Sequence, residues 1–289
     1  MKRVNINFNF IVALIIFIPI MMISGCKQLL NAAVGADNIS GQMAEDILPE
    51  QMYEITNIDR MVDGQEIMEI DFSKLNYEED SLKIEQGGHY LLKGKNENCR
   101  IVICAYDDEI VHLILDNVEI TSKSGPAIYV EKAGKVVITV QADTENIVED
   151  GAQYMKDGEA CIFSSCDLTI NGNGTLNIYG YYHDAIRSKD RVKVIGTNLN
   201  IWAKNVGLRG NDGVLIDEST IGIESEGTGI KTNSEQGYVF IRGGVCKVVS
   251  GENAIYADRY VAVKDCKYDF YSVMESIRCN GIKEIEEDN

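Results

Sequence analysis

A small residue followed by isoleucine or leucine returns along this chain at a nearly constant step. The pairs are Ala127-Ile128, Cys161-Ile162, Ala185-Ile186, Gly207-Leu208, Gly229-Ile230, Ala254-Ile255 and Ser276-Ile277, separated by 34, 24, 22, 22, 25 and 22 residues. Four successive markers are followed by a short turn and a strand-like run (Arg191–Ile195, Gly213–Ile216, Tyr238–Ile241, Tyr260–Val263) and then by a second run (Leu199–Trp202, Ile221–Glu224, Val245–Val249, Lys267–Tyr271). A strand repeat this short cannot enclose a core alone. It buries its apolar side only against the next copy, so the pattern specifies a solenoid. Three strands in a rung of about 22–25 residues predict an all-β, single-stranded parallel β-helix. The frame LxxLxLxxN of leucine-rich repeats is absent, and no helical period runs long enough to compete. The long first step carries an acidic insertion at 149–159.

Composition agrees with repeated tight corners: 26 Gly allow positive φ, and only 3 Pro leave the backbone donors free to pair. With 27 basic against 45 acidic residues the net charge is −18, which excludes a general binder of nucleic acid or of an anionic membrane surface. Residues 1–25 read as a signal peptide. Lys2 and Arg3 precede an apolar run of 14 residues, Phe10 to Ile23, too short to span a bilayer as a helix. The run ends in Ile23-Ser24-Gly25-Cys26, which resembles a bacterial lipobox. The expectation is export, lipidation of Cys26 and tethering at the outer face of the cell membrane, with the mature net charge at −20 once Lys2 and Arg3 are removed. Residues 26–58 are read as tether and N-terminal cap, 59–285 as the β-helix and 286–289 as an acidic tail, in a monomer whose only membrane contact is the lipid.

Beyond Cys26 there are seven cysteines, an odd number that cannot form a complete disulfide framework. Cys99/Cys104 and Cys161/Cys166 have zinc-like spacing, but small buried residues in strands account for them more simply. His89, His112 and His183 stand in no metalloenzyme spacing.

In a solenoid, equivalent positions stack about 4.8 Å apart. One place after the marker stand Arg187, Arg209 and Lys231, a column of cations that needs acids beside it or an anionic ligand. Asp190, Asp212 and Glu235, at the following turn, are the expected counter-charges. Asp150, Asp157 and Glu159 in the insertion, together with Asp184 one rung later, offer oxygens suited to a hard cation such as calcium. Asp190 and Asp212 complete the candidate metal set. Strand alternation turns Leu199 and Ile201 inward and Trp202 outward, and likewise Ile178 in and Tyr179 out. These two rings fall at the same place on neighbouring rungs, with Tyr271 further along, as a platform for sugar rings.

The stretches Asn117–Ile120, Pro126–Val130, Val137–Val140, Asn146–Gly151 and Asp167–Gly172, with the rung starts AIRSKD and GIKTNS, resemble the bacterial carbohydrate-binding domain-containing lipoproteins over roughly 60–285. The resemblance implies a right-handed parallel β-helix akin to family 9 pectate lyases, calcium binding and association with plant cell-wall polysaccharides such as cellulose or polygalacturonate. Where that family carries Asp at rung starts, this chain keeps Asp184 and has Val206, Thr228 and Asn253 elsewhere. Three function classes follow. The favoured one is a surface-tethered, non-catalytic polysaccharide binder using Tyr179, Trp202, Tyr271, Arg187, Arg209 and Lys231. The second is a calcium-dependent uronate lyase with Arg187, Arg209 or Lys231 as base, and the third is a structural lipoprotein without a glycan ligand.

Overall fold

The computed structural model describes residues 54–60, 66–75, 81–153 and 158–286. The described strands form an all-β parallel solenoid of about nine turns, matching the architecture expected from the repeat. One coil illustrates the rest. A first-face strand, Asp184–Ser188, turns through two residues into a second-face strand, Arg191–Ile195. A corner at Gly196-Thr197 leads to the third-face strand Asn198–Ala203, and four residues later Leu208–Gly210 begins the next coil. The second-to-third corner takes a left-handed backbone, with φ 59° at Gly196 and 49° at Glu218.

The first face is one nine-stranded sheet. The second and third faces join through the 12-residue strand Ile110–Thr121, whose two halves pair with Lys135–Val140 and Glu145–Glu149. It rounds the corner at Asn117, φ 52°.

The markers form a single internal ladder: Ile128, Ile162, Ile186, Leu208, Ile230, Ile255 and Ile277 occupy consecutive register positions. Leu82 and Ile101 extend it before the first marker recognised in the sequence. Ile128 through Ile255 are fully buried, each contributing about 1.5–3 kcal/mol of transfer free energy. The small residue of each pair has a steric cause. A Cβ on Gly207 would lie 2.7 Å from the Gly229 carbonyl oxygen, and one on Gly229 2.6 Å from that of Ala254, because the next coil's backbone passes directly over them. The long first step is taken up between Glu149 and Ala160, where strands of successive faces are ten residues apart instead of four.

Part of the outer side of the second face is covered by the segment that carries Asp59. Asp59, read from the sequence as the first residue of the β-helix, lies outside its coils and is fully buried against them. Its carboxylate accepts from Thr169 Oγ1 (2.6 Å) and Lys193 Nζ (3.0 Å) and is ion-paired with Lys135. Asn171 Nδ2 donates to its carbonyl oxygen at 2.6 Å. Burial alone would raise the Asp59 carboxyl, but the bonds from Lys135, Thr169, the Thr56 backbone and Lys193 together hold it well below the usual carboxylate range.

Candidate functional site

Alternation along the third face turns Leu199, Ile201 and Ala203 into the core and leaves Asn198, Asn200 and Trp202 outside. Parallel register then stacks Glu149, Tyr179, Trp202, Glu224, Val249 and Tyr271 in one outer ladder. Beside it runs Asn177, Asn200, Gly222, Lys247 and Asp269. An open groove of about 410 Å³ lies between Tyr179, Trp202, Glu224, Lys247 and Val249. Gly222 leaves part of this room: a Cβ there would meet only Asn200 Oδ1, at 3.5 Å, and would project into the groove.

Tyr181 completes the aromatic end. Its ring lies parallel to that of Tyr179 with centroids 6.0 Å apart, and 5.3 Å from that of Trp202. The buried Asp150 carboxylate holds this corner by accepting from Tyr181 N at 2.6 Å. Burial, then the nearby Glu149, push the Tyr181 phenol up, so it stays a hydrogen-bond donor. Asn200 Nδ2 donates to Asn177 Oδ1 (2.9 Å), and Asn177 Nδ2 to Glu145 Oε1 (3.0 Å), which aligns the polar wall. Partly exposed rings, an exposed amide at Asn200 and one charge of each sign in an open groove suit a ligand with apolar faces and hydroxyl edges.

The cation column is real but lies on the first face, so the two candidate ligand sets sit on different faces. Arg187, Arg209 and Lys231 occupy consecutive register positions, continued by Tyr129 and Phe163 on one side and by Tyr256 and Arg278 on the other. All four of these flanking residues stand one place after an Ile marker, so the same sequence rule finds them.

The counter-charges differ from those expected. Arg187 Nη1 pairs with Glu159 Oε2 at 2.7 Å and Arg209 Nε with Asp184 Oδ2 at 2.8 Å, because these side chains reach back to the corner behind them rather than forward to Asp190 and Asp212. Lys231 lies over the Tyr256 ring at 5.6 Å. Asp190 and Asp212 lie beside Asp167 at the following turn, where burial first, then these neighbours, raise the Asp190 carboxyl.

The proposed calcium ligands are thus divided among separate tasks. Asp184 Oδ1 also accepts from Asn205 Nδ2 and Val206 N, both at 3.1 Å, and contacts His183 Nδ1 at 2.9 Å. Glu159 holds Arg187 and Asp150 holds the Tyr181 corner, while Asp157 and the lipidation candidate Cys26 lie outside the described residues. Among the described residues, no three His, Cys, Asp or Glu gather to hold an ion. The described members of the set do not share a calcium shell. Of the seven described cysteines five are buried, and burial raises Cys161, Cys166 and Cys246.

Comparison with known proteins follows the same lines. A family model described as carbohydrate-binding domain-containing protein matches residues 78–284. A carbohydrate-binding domain-containing protein of Acetivibrio thermocellus is 30% identical over 223 residues, covering 74% of this chain and 78% of that protein. The solved polysaccharide lyase-like protein from C. thermocellum, a gadolinium derivative, superposes with a TM-score of 0.72 at 28% identity, over 76% of this chain and 96% of that one. The chain belongs to the carbohydrate-binding domain-containing protein family, built on a polysaccharide lyase-like β-helix.

Proposed function

We propose that this protein is a non-catalytic polysaccharide binder whose contact surface is the third-face groove at Trp202. The observation that carries this reading is the cluster of Tyr179, Tyr181 and Trp202 beside the space left by Gly222. Flat rings at the edge of an open groove stack on the apolar faces of pyranose rings, while Asn200, Glu224 and Lys247 meet their hydroxyls. Export and tethering through Cys26 complete the proposal, placing the binder at the cell surface.

The lyase alternative draws on the likeness to the solved polysaccharide lyase-like protein. Against it, Arg187 and Arg209 are each held by a carboxylate, and no metal-binding set surrounds Lys231 among the described residues. Incubating the purified protein with insoluble cellulose and with polygalacturonate, each with calcium or chelator, separates the readings. Retention on a polysaccharide without ultraviolet absorbance from unsaturated product is expected. Calcium-dependent absorbance establishes a lyase, and neither signal removes both.

A further inference from the structure

The Trp202 groove is one end of a longer feature. From Val249 at the groove's edge, 54% exposed, the same outer ladder continues to Tyr271, 64% exposed. Val273 and Met274 then extend the apolar surface. Trp202 and Tyr271 are three coils apart, about 14 Å at the strand spacing, and Tyr179 and Tyr271 about 19 Å. Two aromatic stations thus stand at opposite ends of a straight run parallel to the solenoid axis. A disaccharide occupies one station; only a longer chain reaches both.

Charge along the run selects among polymers. Glu149 and Glu224 belong to the aromatic ladder and Asp269 to its neighbour, with Lys247 between them. A polymer with a carboxylate on every sugar would set like charges against three acids on a protein of net charge −18. A neutral chain finds acceptors in Glu224 and Asp269, a donor in Lys247 and an exposed amide in Asn200. Resting on the function proposed above, we infer that the ligand is an uncharged, unbranched polysaccharide lying along the solenoid axis across four or more coils, with Tyr271 as the far station.

The test is titration of the full-length protein, Trp202→Ala and Tyr271→Ala with di- and hexasaccharides of β-1,4-glucan, β-1,4-mannan and β-1,4-xylan and with hexagalacturonate, each sample also sedimented. At least one neutral hexasaccharide is expected to bind roughly tenfold tighter than its disaccharide. Tyr271→Ala should erase that advantage, bringing the affinity for the hexasaccharide down to that for the disaccharide. If Tyr271→Ala has no effect while Trp202→Ala abolishes binding, the site is compact: the axial track is overturned and the proposed function stands. Preference for hexagalacturonate overturns the neutral ligand. Insensitivity of every affinity to Trp202→Ala, or no binding at all, overturns both readings. A dimer that Tyr271→Ala dissociates, with glycan affinity unchanged, assigns the far station to a second copy and overturns the track.

Discussion

Asp184 and Arg209 form a buried ion pair across adjacent coils, with Nε 2.8 Å from Oδ2 and Nη2 3.2 Å from Oδ1. Asp184 is fully buried and the Arg209 side chain nearly so, so neither charge has water to fall back on. Removing one partner of such a pair leaves the other desolvated and uncompensated, at a cost of about 3–5 kcal/mol. Asp184→Ala is therefore expected to lower stability by that order in urea or thermal unfolding. An unchanged midpoint would contradict the pair's structural role.

His183 supplies a pH signature at the same place. The contact with Asp184 raises its pKa above the ordinary 6.5, against partial desolvation. A raised folded-state value means that the stabilisation is complete below 6.5 and is lost as pH rises through the folded value. Replacing His183 by Gln should therefore destabilise the protein more at acidic than at alkaline pH, measured as melting temperature across that range. A pH-independent difference would remove this linkage.

The Asp59 strap responds in the opposite sense. Its depressed pKa contributes stability that is present above 3.8 and lost as pH falls towards the folded value. Asp59→Ala should cost about 3–5 kcal/mol at neutral pH, since Lys135 and Lys193 would lose their buried counter-charge. It should also flatten the acid limb of the stability profile, and an acid limb identical to wild type would contradict the assignment. The wall beneath is ordered by hydrogen bonds. Thr139 donates to Asn171 Oδ1, so in the 2.6 Å contact with His112 the hydroxyl accepts from Nε2–H. Burial pushes His112 down to about 4, which keeps it neutral in this arrangement at pH 7.

Trp202→Ala should reduce retention on the bound polysaccharide at least roughly tenfold while leaving the melting temperature close to wild type, because the ring is partly exposed and its neighbours Leu199 and Ile201 carry the core contacts. Retention and calorimetry on the same preparation check both halves. Loss of stability equal to the loss of binding would make the ring structural.

Chelator is expected to leave the melting temperature unchanged, because Asp150, Glu159 and Asp184 already serve other partners. A ligand that binds only the folded state raises its stability by mass action, so a fall of several degrees on chelation would show that the folded protein holds an ion. On the proposed lipidation of Cys26, Cys26→Ser should move the protein from the membrane fraction to the soluble fraction of the cells that express it. Continued membrane association would remove the lipid anchor.

The sequence by itself determined the coil. A period near 22 residues, a small residue before each Ile or Leu and inward–outward alternation suffice to place Ile186 above Ile162, Trp202 beside Tyr179 and Arg209 above Arg187. Such positions follow from counting, because stacking converts sequence period into spatial neighbourhood. The tertiary structure alone decided what those side chains do. It put the aromatic ladder and the cation column on different faces, gave Arg187 and Arg209 their partners in Glu159 and Asp184, and set Asp150 to holding a corner. It also buried Asp59 against Thr169 and Lys193, 110 and 134 residues away. Side-chain reach and the return of a non-repeating segment over the coils leave no periodic mark; they are settled by which buried charges and hydrogen-bonding groups find partners when the whole chain packs.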